Sequence, residues 1–320
     1  MAVHGSGGRM PWGDVPTSVR AAVDDLLGSP VVDAVSQPAG FSPGSADRVT
    51  TADGTRAFVK SASTAVNAQA VELHRREGAI AGAMPAGMPV PAVRGVVDPG
   101  DWIAVVFDDV EGRHPHTPWQ PAELGAVLDA LARLSAEPAP PEFAAMLESA
   151  SDALADNLRG WQRIAADPAR LPALAPDDRE WVAARLDRLA ADAATAIGEV
   201  GGDRLVHLDV RADNLLVRPD GSVVLVDWPW AALGAGWLDA LVLLVNVRLY
   251  DPAADVESLL REHPVFAELD GAVANRVLAG LTGYFLEASA GPEVAEIPNL
   301  RRFQLDQGLV GLALLRERLP

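Results

Sequence analysis

The sequence predicts an α+β protein in two lobes, a small β-rich N-terminal lobe and a larger, mainly helical C-terminal lobe. Three observations carry that reading. Residues 31–110 are β-rich runs broken by turn residues. After Gly112 apolar residues recur at helical spacing. A second β-rich passage, residues 204–226, is set into that helical half. The lobes are expected at 17–107 and 108–320, joined by a hinge at 107–113, with a flexible Gly- and Pro-rich N-terminus over 1–16.

The first helix is expected over 17–27, with Val19, Val23, Leu26 and Leu27 along one side. Thr51-Ala52-Asp53-Gly54 then reads as a hairpin turn between DRVTT and RAFVK. A helix over 64–83 follows. Residues 94–97 and 102–107 form two strands around the turn Asp98-Pro99-Gly100-Asp101. In the second half, Leu124, Val127, Leu128, Leu131 and Leu134 mark a helix that starts beside prolines. Further helices are expected over 141–166, 178–197, 237–249, 270–288 and 300–319. RLVH, LLV and VVLV read as strands, the last two joined by Pro219-Asp220-Gly221.

Composition narrows the function classes. The 320 residues are 49% hydrophobic, enough for a sizeable core and too many for a disordered chain. Cysteine is absent, which excludes disulfides, a thiolate nucleophile and a cysteine-based zinc site. The 44 acidic residues outnumber the 26 basic ones and leave a net charge of -18. Such a surface repels nucleic acid and anionic membranes and is compatible with a cationic ligand. No apolar run has the length of a membrane span, and MAVHGSGGRMPWGD lacks the apolar stretch of a secretory signal. A cytoplasmic protein is the expectation, with monomer and homodimer both open. Of the 26 basic residues only Lys60 is lysine, a compact ammonium where every other cation is a planar fork.

The densest polar cluster is His207-Leu208-Asp209-Val210-Arg211-Ala212-Asp213-Asn214, between two expected strands. Asp227 follows VVLV directly, and a hairpin would return it to the neighbourhood of Asn214. Phosphoryl transfer from a nucleoside triphosphate requires such a set. An amide and a carboxylate can hold Mg²⁺ against phosphates, and a separate carboxylate can orient a hydroxyl and accept its proton. A lysine held by an acidic helix residue must neutralise phosphate charge. Lys60, ending RAFVK, offers it, with Glu77 or Glu72 as partner. A loop with free N–H groups must cover the phosphates, and Gly40, Phe41, Ser42 and Gly44 stand where such a loop belongs.

These segments resemble the aminoglycoside phosphotransferase and choline kinase family, relatives of the protein kinases. HLDVRADN resembles the catalytic loop H-x-D-x-x-x-x-N, and VDW resembles the family's version of D-F-G. AFVK resembles the strand with the phosphate lysine. RREGAIAGAMPAGMPVPAV resembles the glutamate helix and its exit, and WIAVVFDDVEGRHP resembles the hinge. The resemblance runs from about residue 31 to 249. It implies a two-lobed, protein-kinase-like fold and Mg-dependent transfer of the γ-phosphate of ATP or GTP to a hydroxyl of a small molecule. By the same resemblance, Asp209 is the base, Asn214 and Asp227 bind Mg²⁺, and Lys60 contacts the phosphates, anchored by Glu77. The backbone at Phe107, Asp108 and Val110 holds the nucleotide base. Arg211 stands where protein kinases carry a lysine and either touches the γ-phosphate or orders the loop. Asp239 is expected to brace the catalytic loop and His207 to be structural. The loop at 40–45 departs from the full G-x-G-x-x-G.

The acceptor is less defined. An aminoglycoside or other antibiotic fits the acidic charge, and a metabolic kinase for a sugar, amino alcohol or nucleoside fits nearly as well. Glu111, Trp161, Trp237, Tyr284 and Arg301 are candidate walls of its pocket. Two rivals are a catalytically silent nucleotide-binding pseudokinase and a metal-dependent hydrolase built on His207, Asp209 and Asp227; the hydrolase leaves Lys60 unexplained.

Overall fold

The computed structural model describes residues 9–37, 44–294, 297 and 299–319. In chain order these form α1 (Thr17–Leu27), β1 (Val31–Ser36), β2 (Ser45–Thr51), β3 (Arg56–Ser63), α2 (Thr64–Gly82), β4 (Val93–Val97), β5 (Trp102–Asp108), α3 (Pro121–Leu134), α4 (Pro141–Ala144), α5 (Ala150–Leu154) and α6 (Gly160–Ala166). Then come α7 (Pro176–Ala183), α8 (Leu186–Glu199), β6 (Arg204–Val206), β7 (Leu215–Val217), β8 (Val223–Leu225), β9 (Ala232–Gly234), α9 (Leu238–Tyr250), α10 (Val256–Glu262), α11 (Gly271–Ser289) and α12 (Leu300–Arg318). The chain divides into two compact units. The first gathers the described residues within 1–114, 213–230 and 294–298, and the second holds the other described residues. The β7–β8 hairpin, expected in the C-terminal lobe, therefore packs with the first unit.

The first unit is built on an antiparallel sheet in the order β1-β2-β3-β5-β4. Alternation along β3 divides its two faces. Ala57 and Val59 join Trp12, Val19, Val23, Val49 and Val106 in one apolar cluster. Phe58 and Ala62 pack in a second cluster, with Val71, Ala81, Ile103 and Phe107. Lys60 shares the parity of Phe58 and Ala62, which brings it toward α2. Part of the stretch expected to be flexible is packed: Trp12 opens a short 3₁₀ turn and is only 9% exposed. In the hairpin, Leu215 pairs with Leu225 and Val217 with Val223, and Val226 N–H donates to Asn214 O at 2.9 Å. The hairpin thus ends with Asn214 and Asp227 on adjacent chains.

The second unit is helical, with β6 and β9 forming a short antiparallel pair. Its buried side chains include Leu158, Trp161, Leu189, Leu278 and Leu315. The helix expected over 141–166 is broken into α4, α5 and α6. Ser149 caps α5 by accepting from Asp152 N–H, and it bridges Leu233 of β9, so tertiary contacts end the helix there. Gly160, at the start of α6, lies against the backbone of Gly283; a Cβ on it would come within 2.2 Å of Gly283 O. The helix expected over 178–197 breaks at Arg185, whose φ of -127° is not helical.

Candidate active site

Lys60 sits at the convergence of two carboxylates. Its Nζ donates to Glu77 Oε1 and Oε2 at 2.8 and 2.9 Å and to Asp227 Oδ1 at 2.7 Å. Local structure decides which glutamate reaches it. The helical path of α2 is interrupted at Asn67, whose side chain accepts from Ala70 N–H at 2.8 Å and caps a fresh start. From there Ala70, Val71, His74, Glu77, Gly78 and Ala81 form the buried stripe. Glu72 falls on the open face, 70% exposed, and pairs with Arg75. Burial by itself would lower the pKa of Lys60; the charges of Asp227 and Glu77 outweigh it and hold the group above its usual value. The lysine is a fixed cation.

An open cavity surrounds this ion cluster. Phe58, Phe107, Leu216 and Val226 give it apolar walls, and Lys60, Asn214 and Asp227 give it polar ones. Asn214 is 4% exposed, whereas the Asp227 side chain is 27% exposed. Asp227 adopts a φ of 71°, a left-handed backbone that aspartate tolerates better than most residues. Asn214 and Asp227 together offer hard oxygen donors. Among the described residues no three His, Asp or Glu side chains gather to hold a metal by themselves. Two protein oxygens completed by phosphate and water suit Mg²⁺, so the residues present fit that ion.

Phe107, Asp108 and Val110, expected at the hinge, all border the cavity. Asp108 N–H is committed to Ala92 O at 2.8 Å, and Val110 O accepts from Arg48 at 3.2 Å. Gly40, Phe41 and Ser42 lie outside the described residues. Gly44 is held at a φ of 141°, and a Cβ there would come within 2.2 Å of Ser61 O. Only glycine allows β2 to begin this close to β3.

Asp209 and Arg211 belong to the second unit. Arg211 donates to Asp209 Oδ1 at 2.8 Å and stacks its guanidinium over Phe303, 5.3 Å from the ring centre. The loop is braced from below. Asp239, 3% exposed at the start of α9, accepts from His207 N–H at 2.6 Å and from Leu208 N–H at 2.9 Å. Leu208 has a φ of 62°, a conformation costly for leucine, so the brace holds strained backbone one residue before Asp209. Burial pushes the Asp239 carboxyl up to about 6, against the two backbone donors. His207 is fully buried, and its Nδ1 faces Asp209 N–H at 3.3 Å. Tyr284 lies within electrostatic range of Asp209 and Arg301. Trp161 and Trp237 are buried, at 0% and 7% exposure.

Sequence reasoning missed several cavity residues. Phe58 was accessible to it, two positions before Lys60 on the same strand face. His74 was too, one helical turn before Glu77. Burial and then the Lys60 charge hold His74 down to about 3, so it lines the cavity as a neutral ring. Arg9, Arg48 and Asp109 carried no signal, because their proximity depends on the folded sheet. Asp109 pairs with Arg48 at 3.2 Å and Arg56 at 2.5 Å.

The family model described as the phosphotransferase enzyme family matches residues 39–280, about three quarters of the chain. The chain belongs to that family. This phosphotransferase is an enzyme that transfers phosphate to a hydroxyl of a small molecule. No curated protein matches its sequence. Solved structures agree in fold. A spectinomycin phosphotransferase in complex with ADP and spectinomycin is 11% identical with a TM-score of 0.60, covering 93% of this chain and 98% of that one. A fructosamine-3-kinase candidate from Haemophilus somnus 129PT is 12% identical with a TM-score of 0.59, covering 94% and 97%. An aminoglycoside phosphotransferase from Alicyclobacillus acidocaldarius is 16% identical with a TM-score of 0.55, covering 90% and 92%. At these identities the likeness concerns the fold: an antiparallel sheet lobe and a helical lobe of the kinase-like kind. No helix among the described residues is long and apolar enough to cross a membrane.

Proposed function

We propose that this phosphotransferase moves the γ-phosphate of ATP or GTP, with Mg²⁺, to a hydroxyl of a small molecule. The observation that carries the reading is the Glu77–Lys60–Asp227 cluster, a fixed ammonium 2.7 Å from a partly exposed carboxylate in a cavity with apolar walls. Lys60 donates to phosphate oxygens while Glu77 fixes its direction. Asp227 and Asn214 would hold magnesium, which neutralises phosphate charge when bound. Phe58 and Leu216 offer apolar surface to the nucleotide base, with the backbone near Phe107, Asp108 and Val110 at its edge. Gly40, Phe41, Ser42 and Gly44 form the phosphate-covering loop in this reading. Asp209 orients the acceptor hydroxyl and takes its proton, and Arg211 keeps that carboxylate directed. Catalysis rests on positioning and charge stabilisation, without a phospho-enzyme.

For the acceptor, the net charge of -18 and the spectinomycin-bound neighbour favour a cationic antibiotic such as an aminoglycoside. A second reading, a sugar or other neutral alcohol, is favoured by the cation beside the base: Arg211 pairs with Asp209 and offsets its charge. The test is a screen of purified protein with ATP or GTP, Mg²⁺ and a panel of aminoglycosides, nucleoside antibiotics, sugars and choline-like alcohols. The expected product is heavier by one phosphoryl group, in step with nucleotide consumption. Phosphate release that outpaces transfer to every acceptor would instead indicate a hydrolase, and nucleotide binding without turnover a silent module.

A further inference from the structure

Arg9 lines the same cavity as Lys60, His74, Asn214 and Asp227, although it precedes every strand and helix of the fold. Its place is set by backbone and packing. Met10 N–H donates to Gly44 O at 3.0 Å, at the start of β2. Two residues on, Trp12 is buried in the core with Val15 and Val19. The chain is therefore pinned at Met10 and at Trp12, and Arg9 lines the cavity directly before this anchored stretch.

The electrostatics show what this cation faces. Burial weakens the hold of Arg9 on its proton, and the charges of Asp227 and Asp47 oppose that loss. Asp47 lies within β2, 1% exposed, within electrostatic range of Arg9. Guanidinium stays charged in any protein environment, so Arg9 is a permanent cation of the cavity besides Lys60 and the Asp109-paired Arg48.

Charge balance gives that cation a task. Lys60 contacts two carboxylates, so the Glu77–Lys60–Asp227 trio is net negative before any ligand arrives. A triphosphate brings several more negative charges to that trio. The ammonium, already shared between two carboxylates, and one Mg²⁺ together still leave that sum negative. The sequence also has only Gly40 and Gly44 in the loop that would offer backbone donors, short of a full glycine-rich set. A planar guanidinium suits the deficit, because it can donate two parallel hydrogen bonds to phosphate oxygens.

We propose that Arg9 is a phosphate-binding residue of the nucleotide site, a further cation beside Lys60 contributed by the segment that precedes the first strand and helix. The inference rests on the nucleotide reading above and adds a residue to it.

Calorimetric titration of the full-length protein tests it, with wild type, Arg9→Gln and Arg9→Lys each titrated with MgATP, MgGTP and the two nucleosides. Melting without nucleotide is recorded to show that the variants are folded, with Arg9→Lys as the charge-preserving control. The wild type should bind one of the triphosphates. Arg9→Gln should weaken that binding by roughly tenfold and change nucleoside binding by less than about twofold, and Arg9→Lys should fall between. Unchanged triphosphate affinity in Arg9→Gln overturns the assignment while leaving the nucleotide reading intact. Tighter binding in Arg9→Gln also overturns it, because Arg9 would then be a plug that nucleotide must displace. A wild type that binds neither triphosphate removes the nucleotide reading itself, and this proposal with it.

Discussion

Replacing Lys60 with methionine removes a charge from a site where three carboxylate oxygens lie within 2.9 Å of it. Glu77 is 2% exposed and would be left as a buried carboxylate facing Asp227 across the vacated position. Removing one partner from a buried ion pair typically costs about 3–5 kcal/mol, because the other charge stays desolvated. The Asp227 side chain, 27% exposed, can turn to water, so the loss should lie near the lower bound, about 3 kcal/mol. The companion variant, Lys60→Met with Glu77→Leu, replaces the pair with apolar groups of similar volume on the sheet–α2 interface. Such exchanges are often neutral or stabilising, so it should recover most of the loss. Denaturant unfolding measures both effects, and a phosphotransfer assay is run beside it. The expected pattern is stability lost and then regained, with transfer absent in both variants. A Lys60→Met protein as stable as wild type would refute the charge argument. Recovered transfer in the double variant would show that the lysine acts only as scaffold.

Three further outcomes are expected. Asp209→Asn should abolish transfer while calorimetric nucleotide affinity stays within about twofold; full activity would remove the base assignment. Asp239 titrates near 6 in the folded protein against 3.8 when unfolded, so folding takes up a proton between those values and this group's contribution to stability rises as pH falls through 6. The unfolding free energy of wild type minus that of Asp239→Asn should therefore shift toward wild type by about 0.8 kcal/mol between about pH 8 and about pH 5.5, and a constant difference would contradict the burial of that carboxyl. Gly44→Ala should cost about 1–3 kcal/mol in thermal or denaturant melts and weaken nucleotide binding, since its Cβ would collide with Ser61 O; an unperturbed melt would show that β2 can shift.

Much of the site is legible in one dimension because its chemistry is carried by short segments. HLDVRADN and VDW each keep their functional groups within a few residues, and the turn at Pro219-Asp220-Gly221 is enough to bring Asn214 and Asp227 to the same end of a hairpin. The choice between Glu72 and Glu77 was also within reach: the stripe Ala70, Val71, His74 and Ala81 runs through Glu77 and misses Glu72. The long helices were less legible where other elements cut them. Periodicity continues through residues 141–166, but the bridge from Ser149 to Leu233 and the contact of Gly160 with Gly283 divide the run.

The sequence alone determined the segments, the turn chemistry, the lone lysine and the order of the acidic groups, because all of these follow from local residue identity and spacing. Tertiary structure decided which groups share a cavity. It set Lys60 against a carboxylate 167 positions away, gathered the β7–β8 hairpin into the first unit and brought Arg9 to the cavity that holds Lys60. The physical reason is that burial and Coulombic pairing depend on distance through space. That distance exists only once the sheet has closed and the desolvated charges have found one another.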